Sequence, residues 1–250
     1  MKILAFIPVR YDSKRFPGKP LALIAGRPMV QHVYQCALSC PDISDVFVAT
    51  DDQRILRCVR DFGGKAIMTQ KKHPTGTDRI AEAAQTLSPE KDELIVNIQG
   101  DQPIFQPAVI SDLIKPLMQE PDLPMSTVKF RITDEQEVEN PNHVKVVTDK
   151  EGFALFFSRS SIPFFREAKS EKVHYKHLGF YGYRLAFLRK FASLPVGQLE
   201  SAEKLEQLRA LENGFKIKVV ETAFDSIEVD TPRDIKKVEQ MIAGHSTGRA

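Results

Sequence analysis

The sequence predicts an α/β protein built on a mostly parallel, Rossmann-like sheet. Three observations carry this. Apolar runs such as Ile3-Leu4-Ala5-Phe6-Ile7 and Leu94-Ile95-Val96 are near-continuous, as in strands buried on both faces. Segments of helical period separate those runs. Gly, Pro, Asn and Asp fall at the junctions. Alternating strands and helices imply right-handed βαβ units.

The first strand covers 3–8, and a Gly- and Pro-punctuated basic loop follows over 10–20. A helix over 28–38 has Pro28 in its tolerated first turn. The second strand spans 46–50. Asp52 can cap a helix over 53–62, which Gly63-Gly64 stops. A strand at 65–68, a helix at 78–87, a strand at 94–98 and a helix at 108–119 continue the alternation. The rhythm changes after residue 124. Strands at 125–130, 144–149 and 153–157, with a turn at 149–152, form a smaller inserted sheet. A strand at 177–184, one helix over 200–212 and a strand at 216–220 come next. Thr231 caps a final helix that Pro232 opens and that runs to 242. The chain so divides into 1–124, an insertion at 125–199, and 200–250 completing one integrated domain.

Of 250 residues, 42% are hydrophobic and 27% charged, which excludes a disordered or fibrous chain. The net charge of +2 gives no global drive toward nucleic acid or membrane, so any anion site must be local. No apolar run approaches the roughly 18–20 residues of a membrane span, and the opening segment lacks a signal h-region. Cys36, Cys40 and Cys58 are an odd, sparse set, which reads as reduced thiols of a cytoplasmic protein. The fingerprints of dinucleotide binding, P-loop hydrolysis, zinc proteolysis and serine hydrolysis are all missing.

Ligands of such sheets sit beyond the carboxyl ends of the strands. The loop Arg10–Pro20 therefore matters. Arg10, Lys14, Arg15 and Lys19 are cations suited to polyphosphate, and Gly18 between Pro17 and Pro20 gives a close, fixed backbone path. Asp101, at a strand end before a Gly/Pro-shaped loop, either holds Mg²⁺ or merely forms a turn. Asp230 is either a second metal carboxylate or a residue favoured by the helix dipole. Asp51 is similarly ambiguous between a site and a cap. Alternation over 177–184 puts His177, Gly179, Tyr181 and Tyr183 on one face, either for a polyol or as a cross-strand aromatic cluster. Glu203, Glu206 and Gln207 read as the solvated side of a helix.

Together these segments resemble the 3-deoxy-manno-octulosonate (KDO) cytidylyltransferase family, also called CMP-KDO synthetases. The matching stretches are Ile7-Pro8-Val9-Arg10 through Arg15-Phe16-Pro17-Gly18-Lys19-Pro20, Val48-Ala49-Thr50-Asp51, Thr75-Gly76-Thr77-Asp78-Arg79, Gln99-Gly100-Asp101, Ala154-Leu155-Phe156-Phe157-Ser158-Arg159, His177-Leu178-Gly179, Leu205-Glu206-Gln207-Leu208-Arg209 and Val229-Asp230-Thr231-Pro232. The resemblance implies a nucleotide-diphospho-sugar-transferase fold whose inserted sheet serves sugar binding and dimerisation. It implies a cytoplasmic homodimer that uses CTP, a KDO-type sugar acid and Mg²⁺ to make CMP-KDO and pyrophosphate for lipopolysaccharide. It implies that Arg10, Arg15 and Lys19 hold the triphosphate with Ser13 as a neutral donor, and that Arg10, Lys19 and Asp101 are central to catalysis. Asp101 and Asp230 would hold Mg²⁺. Cytosine would lie near Pro8, Val9, Thr75, Gly76 and Gln99, and the sugar near Arg79, His177, Tyr181, Glu206 and Gln207, with Arg79 as carboxylate partner by charge. The family's Gly-Asp-Glu-Pro motif is here Gly100-Asp101-Gln102-Pro103. That exchange keeps the metal carboxylate and opens the choice between KDO and 8-amino-8-deoxy-KDO. The competing readings are another sugar acid such as sialic acid, and a catalytically silent nucleotide-binding regulator.

Overall fold

The computed structural model describes residues 1–12, 15–70, 73–87, 93–167 and 171–246. Ser13 lies outside them. The elements in chain order are β1 (Ile3–Val9), β2 (Leu23–Ile24), β3 (Arg27–Pro28), α1 (Met29–Leu38), β4 (Asp45–Thr50), α2 (Gln53–Asp61), β5 (Ala66–Met68), α3 (Gly76–Thr86), β6 (Leu94–Asn97), α4 (Ala108–Gln119), β7 (Met125–Arg131), α5 (Glu135–Glu139), β8 (Lys145–Thr148), β9 (Ala154–Ser158), β10 (Tyr175–Arg184), α6 (Leu185–Ser193), α7 (Gln198–Glu203), α8 (Leu208–Glu212), β11 (Lys218–Glu221) and α9 (Pro232–Ser246). They group into two compact units, 1–108 with 226–250, and 109–225.

In the first unit four strands run parallel in the order β6-β1-β4-β5. β1 is central, and Ala5, Phe6 and Ile7 are wholly buried, which is why its sequence is apolar without alternation. α1, α2 and α3 connect and cover the strands. Asp52 caps α2 by accepting from the Arg54 N–H at 2.8 Å. Gly63, at φ 80°, follows the helix. The chain returns at its end, and α9 places Val238 with Ile24, Met29 and Val229 in a small apolar cluster. Because the strands are parallel, the loops after β1, β4 and β6 all leave at one edge.

In the second unit β7 pairs antiparallel with β10 and parallel with β11, while β8 joins β10 and β9. Two expectations are corrected here. The strand 177–184 does not alternate simply: the register against β7 shifts between His177 and Tyr181, and Gly179 takes φ 73°. The helix expected over 200–212 is two helices, α7 and α8, broken where Lys204 adopts φ 54°. The break has a tertiary cause. The Glu203 carboxylate accepts from Ser158 Oγ (2.6 Å) and the Arg159 N–H (2.9 Å), and its carbonyl accepts from Arg159 Nε (2.7 Å). α8 is held to α7 by the buried, two-pronged pair of Arg209 and Glu200. Among the described residues no helix is long and apolar enough to cross a membrane.

Candidate functional site

The strand ends of the first unit open into a cleft of about 400 Å³. Pro8, Val9, Arg10, Arg15, Lys19, Thr75, Gly76, Gln99, Arg79 and Asp101 all line it. Two of its walls depend on close backbone approach. A Cβ added to Gly100 would lie 2.2 Å from Val9 Cγ1, so only glycine lets the loop after β6 lie against β1. A Cβ added to Gly76 would lie 3.2 Å from Pro8 Cγ. Thr75 caps α3, accepting from the Asp78 N–H at 3.2 Å and donating to its carboxylate at 2.7 Å. The start of α3 thus brings backbone donors to the cleft.

The basic loop is fixed in place. Gly18, at φ 73°, donates its N–H to Tyr11 O at 2.9 Å. The Tyr11 ring lies beneath the Arg54 guanidinium, 3.3 Å from ring centroid to Cζ. Arg15 forks onto Asp230 with contacts of 3.0 and 2.9 Å. Lys19 Nζ lies 2.7 Å from Asp101 Oδ2, 2.9 Å from Val229 O and 3.9 Å from Asp230 Oδ1. Arg10 is exposed at the rim. Asp234 holds the turn that carries Asp230: its Oδ2 accepts from the N–H groups of Asp230 (3.0 Å) and Thr231 (2.7 Å) and from Thr231 Oγ1 (2.9 Å).

Asp101 and Asp230, separated by about half of the sequence, therefore meet around a single ammonium. Both are hard oxygen donors, and the gap between them already accommodates a cation, so the pair fits a divalent ion such as Mg²⁺.

Arg79 has commitments inside the fold. Its guanidinium donates to Asp51 Oδ2 at 2.9 Å and to Thr69 Oγ1, and the side chain is 5% exposed. Its charge is balanced by Asp51, which does not cap a helix.

The residues expected around the sugar in the second unit form their own cluster. His177 Nε2 lies 2.8 Å from Thr127 Oγ1. Thr127 gives its hydroxyl proton to Phe180 O at 2.6 Å, so it accepts from His177, and the imidazole carries its proton on Nε2. Burial pushes the imidazole down to about 3. The Tyr181 ring lies 5.2 Å from that of His177, and Tyr181 Oη donates to Gln207 Oε1 at 2.9 Å. Gln207 is buried and its Nε2 finds no partner among the described residues. Gln207 therefore does not belong to a solvated helix face. Glu206, partly exposed, lies in the turn between α7 and α8.

Sequence reasoning missed two neighbours. His73 lines the cleft and is paired with Glu82, whose carboxylate also accepts from the Gln70 N–H. His73 stands two residues before the capping Thr75, and that proximity was the available signal. Glu228 accepts from Gln102 Nε2 at 3.2 Å. The residue keeps one side open to solvent. Burial of its carboxyl end, followed by the charges of Asp101 and Asp230, pushes it up to about 7. Its signal was two-residue spacing from Asp230 on an extended segment, which puts both side chains on one side.

Residues 4–218 match a family described as cytidylyltransferase. The 3-deoxy-manno-octulosonate cytidylyltransferase of Syntrophus aciditrophicus is 52% identical over 245 residues, 98% of this chain and 99% of that protein. The 8-amino-3,8-dideoxy-manno-octulosonate cytidylyltransferase of a Shewanella species is 50% identical over 244 residues, 97% of this chain and 99% of that protein. A solved CMP:2-keto-3-deoxy-manno-octonic acid synthetase complexed with CTP superimposes with a TM-score of 0.91 at 41% identity, covering 98% of this chain and 100% of that one.

Proposed function

The chain belongs to the cytidylyltransferase family, and from that premise we propose that it transfers CMP from CTP to the anomeric hydroxyl of KDO, releasing pyrophosphate and supplying CMP-KDO for lipopolysaccharide. The observation that carries this reading is one cleft lined by a polyphosphate-type cation set and Asp101, with Asp230 paired to the same cations. The free thiols of Cys36, Cys40 and Cys58 are in keeping with a cytoplasmic enzyme, and the family resemblance with a homodimer.

In the reaction the sugar oxygen bonds to the α-phosphorus as the bond to the pyrophosphate oxygen breaks, and the hydroxyl proton leaves. Arg10, Arg15 and Lys19 neutralise the triphosphate and the charge that builds on pyrophosphate. The α3 start, Pro8, Val9 and Gln99 seat the base, and this orientation lowers the barrier before any covalent change. Asp101 and Asp230 hold Mg²⁺, which when bound polarises the α-phosphate and acidifies the attacking hydroxyl. His177, neutral and with Nε2–H spent on Thr127, offers Nδ1 as an acceptor, and Gln207 Nε2 offers a donor; sugar hydroxyls match both. Glu206, partly exposed in the turn before Gln207, adds a carboxylate acceptor. Arg79, already balanced by Asp51, serves to hold the α3 wall.

A second acceptor is favoured by a specific observation. Gln102 departs from the family motif, and relatives named for the 8-amino sugar, at 50% identity, match as closely as one named for KDO. Purified protein given CTP and Mg²⁺ should release pyrophosphate with KDO or with 8-amino-KDO, and the faster of the two identifies the acceptor. Absence of release with both would overturn the proposal. CTP binding without release for any sugar acid, sialic acid included, would mark a silent regulator.

A further inference from the structure

The exchange at residue 102 has a structural counterpart. Gln102 is wholly buried, and its Nε2 points to Glu228 Oε1 at 3.2 Å, with Ser226 Oγ more distant at 3.5 Å. Gln102 directly follows Asp101, and Glu228 stands two residues before Asp230. The two acid-bearing segments are also tied through main-chain atoms and through Lys19. Val229 N–H donates to Asp101 O at 2.9 Å, Lys19 bridges Asp101 and Val229 O, and Ile104 forms an isolated bridge with Ile227. The Gln102–Glu228 contact adds a side-chain tie, and that tie depends on residue identity. It requires a donor on one side and an acceptor on the other. A carboxyl at 102 would remove the amide donor and set two acids at hydrogen-bond distance, so the contact would form only when one of them holds a proton.

We propose that Gln102 and Glu228 form a paired positioning unit that sets the spacing of Asp101 and Asp230. The pair does not touch the reacting atoms; it acts through the two aspartates. The link to Mg²⁺ rests on the proposed function, whereas the pairing itself does not.

The test compares wild type, Gln102→Glu, and Gln102→Glu combined with Glu228→Gln, which reverses the donor and acceptor at unchanged net charge. Two quantities are read: the unfolding midpoint without metal or nucleotide, and the Mg²⁺ concentration giving half-maximal pyrophosphate release. Gln102→Glu should lower the midpoint and raise the half-activating Mg²⁺ concentration about 10-fold, and the reversed pair should return both to within about 3-fold or a few degrees of wild type. The Mg²⁺ readout separates positioning from simple charge: an added carboxylate acting only by its charge would bind Mg²⁺ more tightly and lower that concentration. If Gln102→Glu does not fold alone, recovery of a folded protein in the reversed pair supports the unit. Additive defects in the reversed pair, or a Gln102→Glu enzyme with unchanged midpoint and tighter Mg²⁺, would overturn it. The midpoint is read without substrates, so failure of the proposed reaction would leave the pairing test standing.

Discussion

His177 provides a stability prediction whose size follows from its surroundings. The ring is enclosed by Phe157 at 5.0 Å, Tyr181 at 5.2 Å and the Thr127 hydroxyl, and burial depresses its pKa from 6.5 to about 3. The unfolded chain binds a proton here below pH 6.5, whereas the native ring does not until about pH 3. The stabilising contribution is therefore complete above pH 6.5 and is lost as pH falls toward the native value. Each pH unit in that window is worth about 1.4 kcal/mol, so moving from pH 7 to pH 5 costs about 2 kcal/mol from this group. Urea unfolding of wild type and His177→Asn at both pH values isolates it. Wild type should lose about 2 kcal/mol more than the variant over that interval. Nuclear magnetic resonance supplies an independent reading: the imidazole should keep its neutral, Nε2–H signature down to pH 5. Parallel pH dependence in the two proteins, or an imidazole that titrates near 6.5, would refute the reasoning.

Asp101→Asn should lower kcat at least about 100-fold, since charge stabilisation at a reacting phosphate is lost; single-turnover pyrophosphate release checks this, and near-normal turnover would remove the residue from the metal site. Lys19→Met should raise KM for CTP about 10-fold or more in steady-state assays, because a buried-side cation facing the triphosphate has gone. Asp51→Ala leaves the Arg79 guanidinium buried without its counter-charge and should destabilise the protein by about 3 kcal/mol in chemical unfolding, with much of that regained when Arg79→Met is added.

The parallel strands were legible because each carries its burial in its own residues: Ala5, Phe6 and Ile7 are buried on both faces, and the sequence there is uniformly apolar. Turn chemistry was equally local. Asp52 and Gly63 mark the ends of α2 by side-chain capping and by left-handed backbone. What sequence did not disclose depends on partners far along the chain. The apolar stripe Leu205, Leu208, Leu211 is a fair helical pattern, yet Glu203 is drawn to Ser158 and Arg159, and the helix breaks at Lys204. The charge of Arg79 is visible in sequence, but its pairing with Asp51, at another strand end, was not. α6 is a different kind of miss, since Leu185, Leu188 and Phe191 recur at helical spacing and could have been read. At the cleft the residue types were legible, but the contact between Lys19 and both aspartates was not, because segments near 19, 101 and 230 meet only through the fold.

That contact also bears on how the site would bind its substrates. Two cations of the basic loop are paired with the aspartates: Arg15 on Asp230, Lys19 between Asp230 and Asp101. A triphosphate entering alone draws the cations away and leaves two carboxylates uncompensated. A divalent cation entering alone takes the carboxylates and leaves the cations uncompensated. When both enter, every charge regains a partner of opposite sign, and the same ion pairs are opened only once. On the proposed function the two binding steps would therefore be coupled favourably, and by linkage each ligand would strengthen the other by the same factor. The pairing unit of Gln102 and Glu228 acts on this balance from behind, since it holds the backbone on which both carboxylates stand. The paired aspartates and loop cations would thus open together only for the complex of nucleotide and metal, which is the species the proposed reaction consumes.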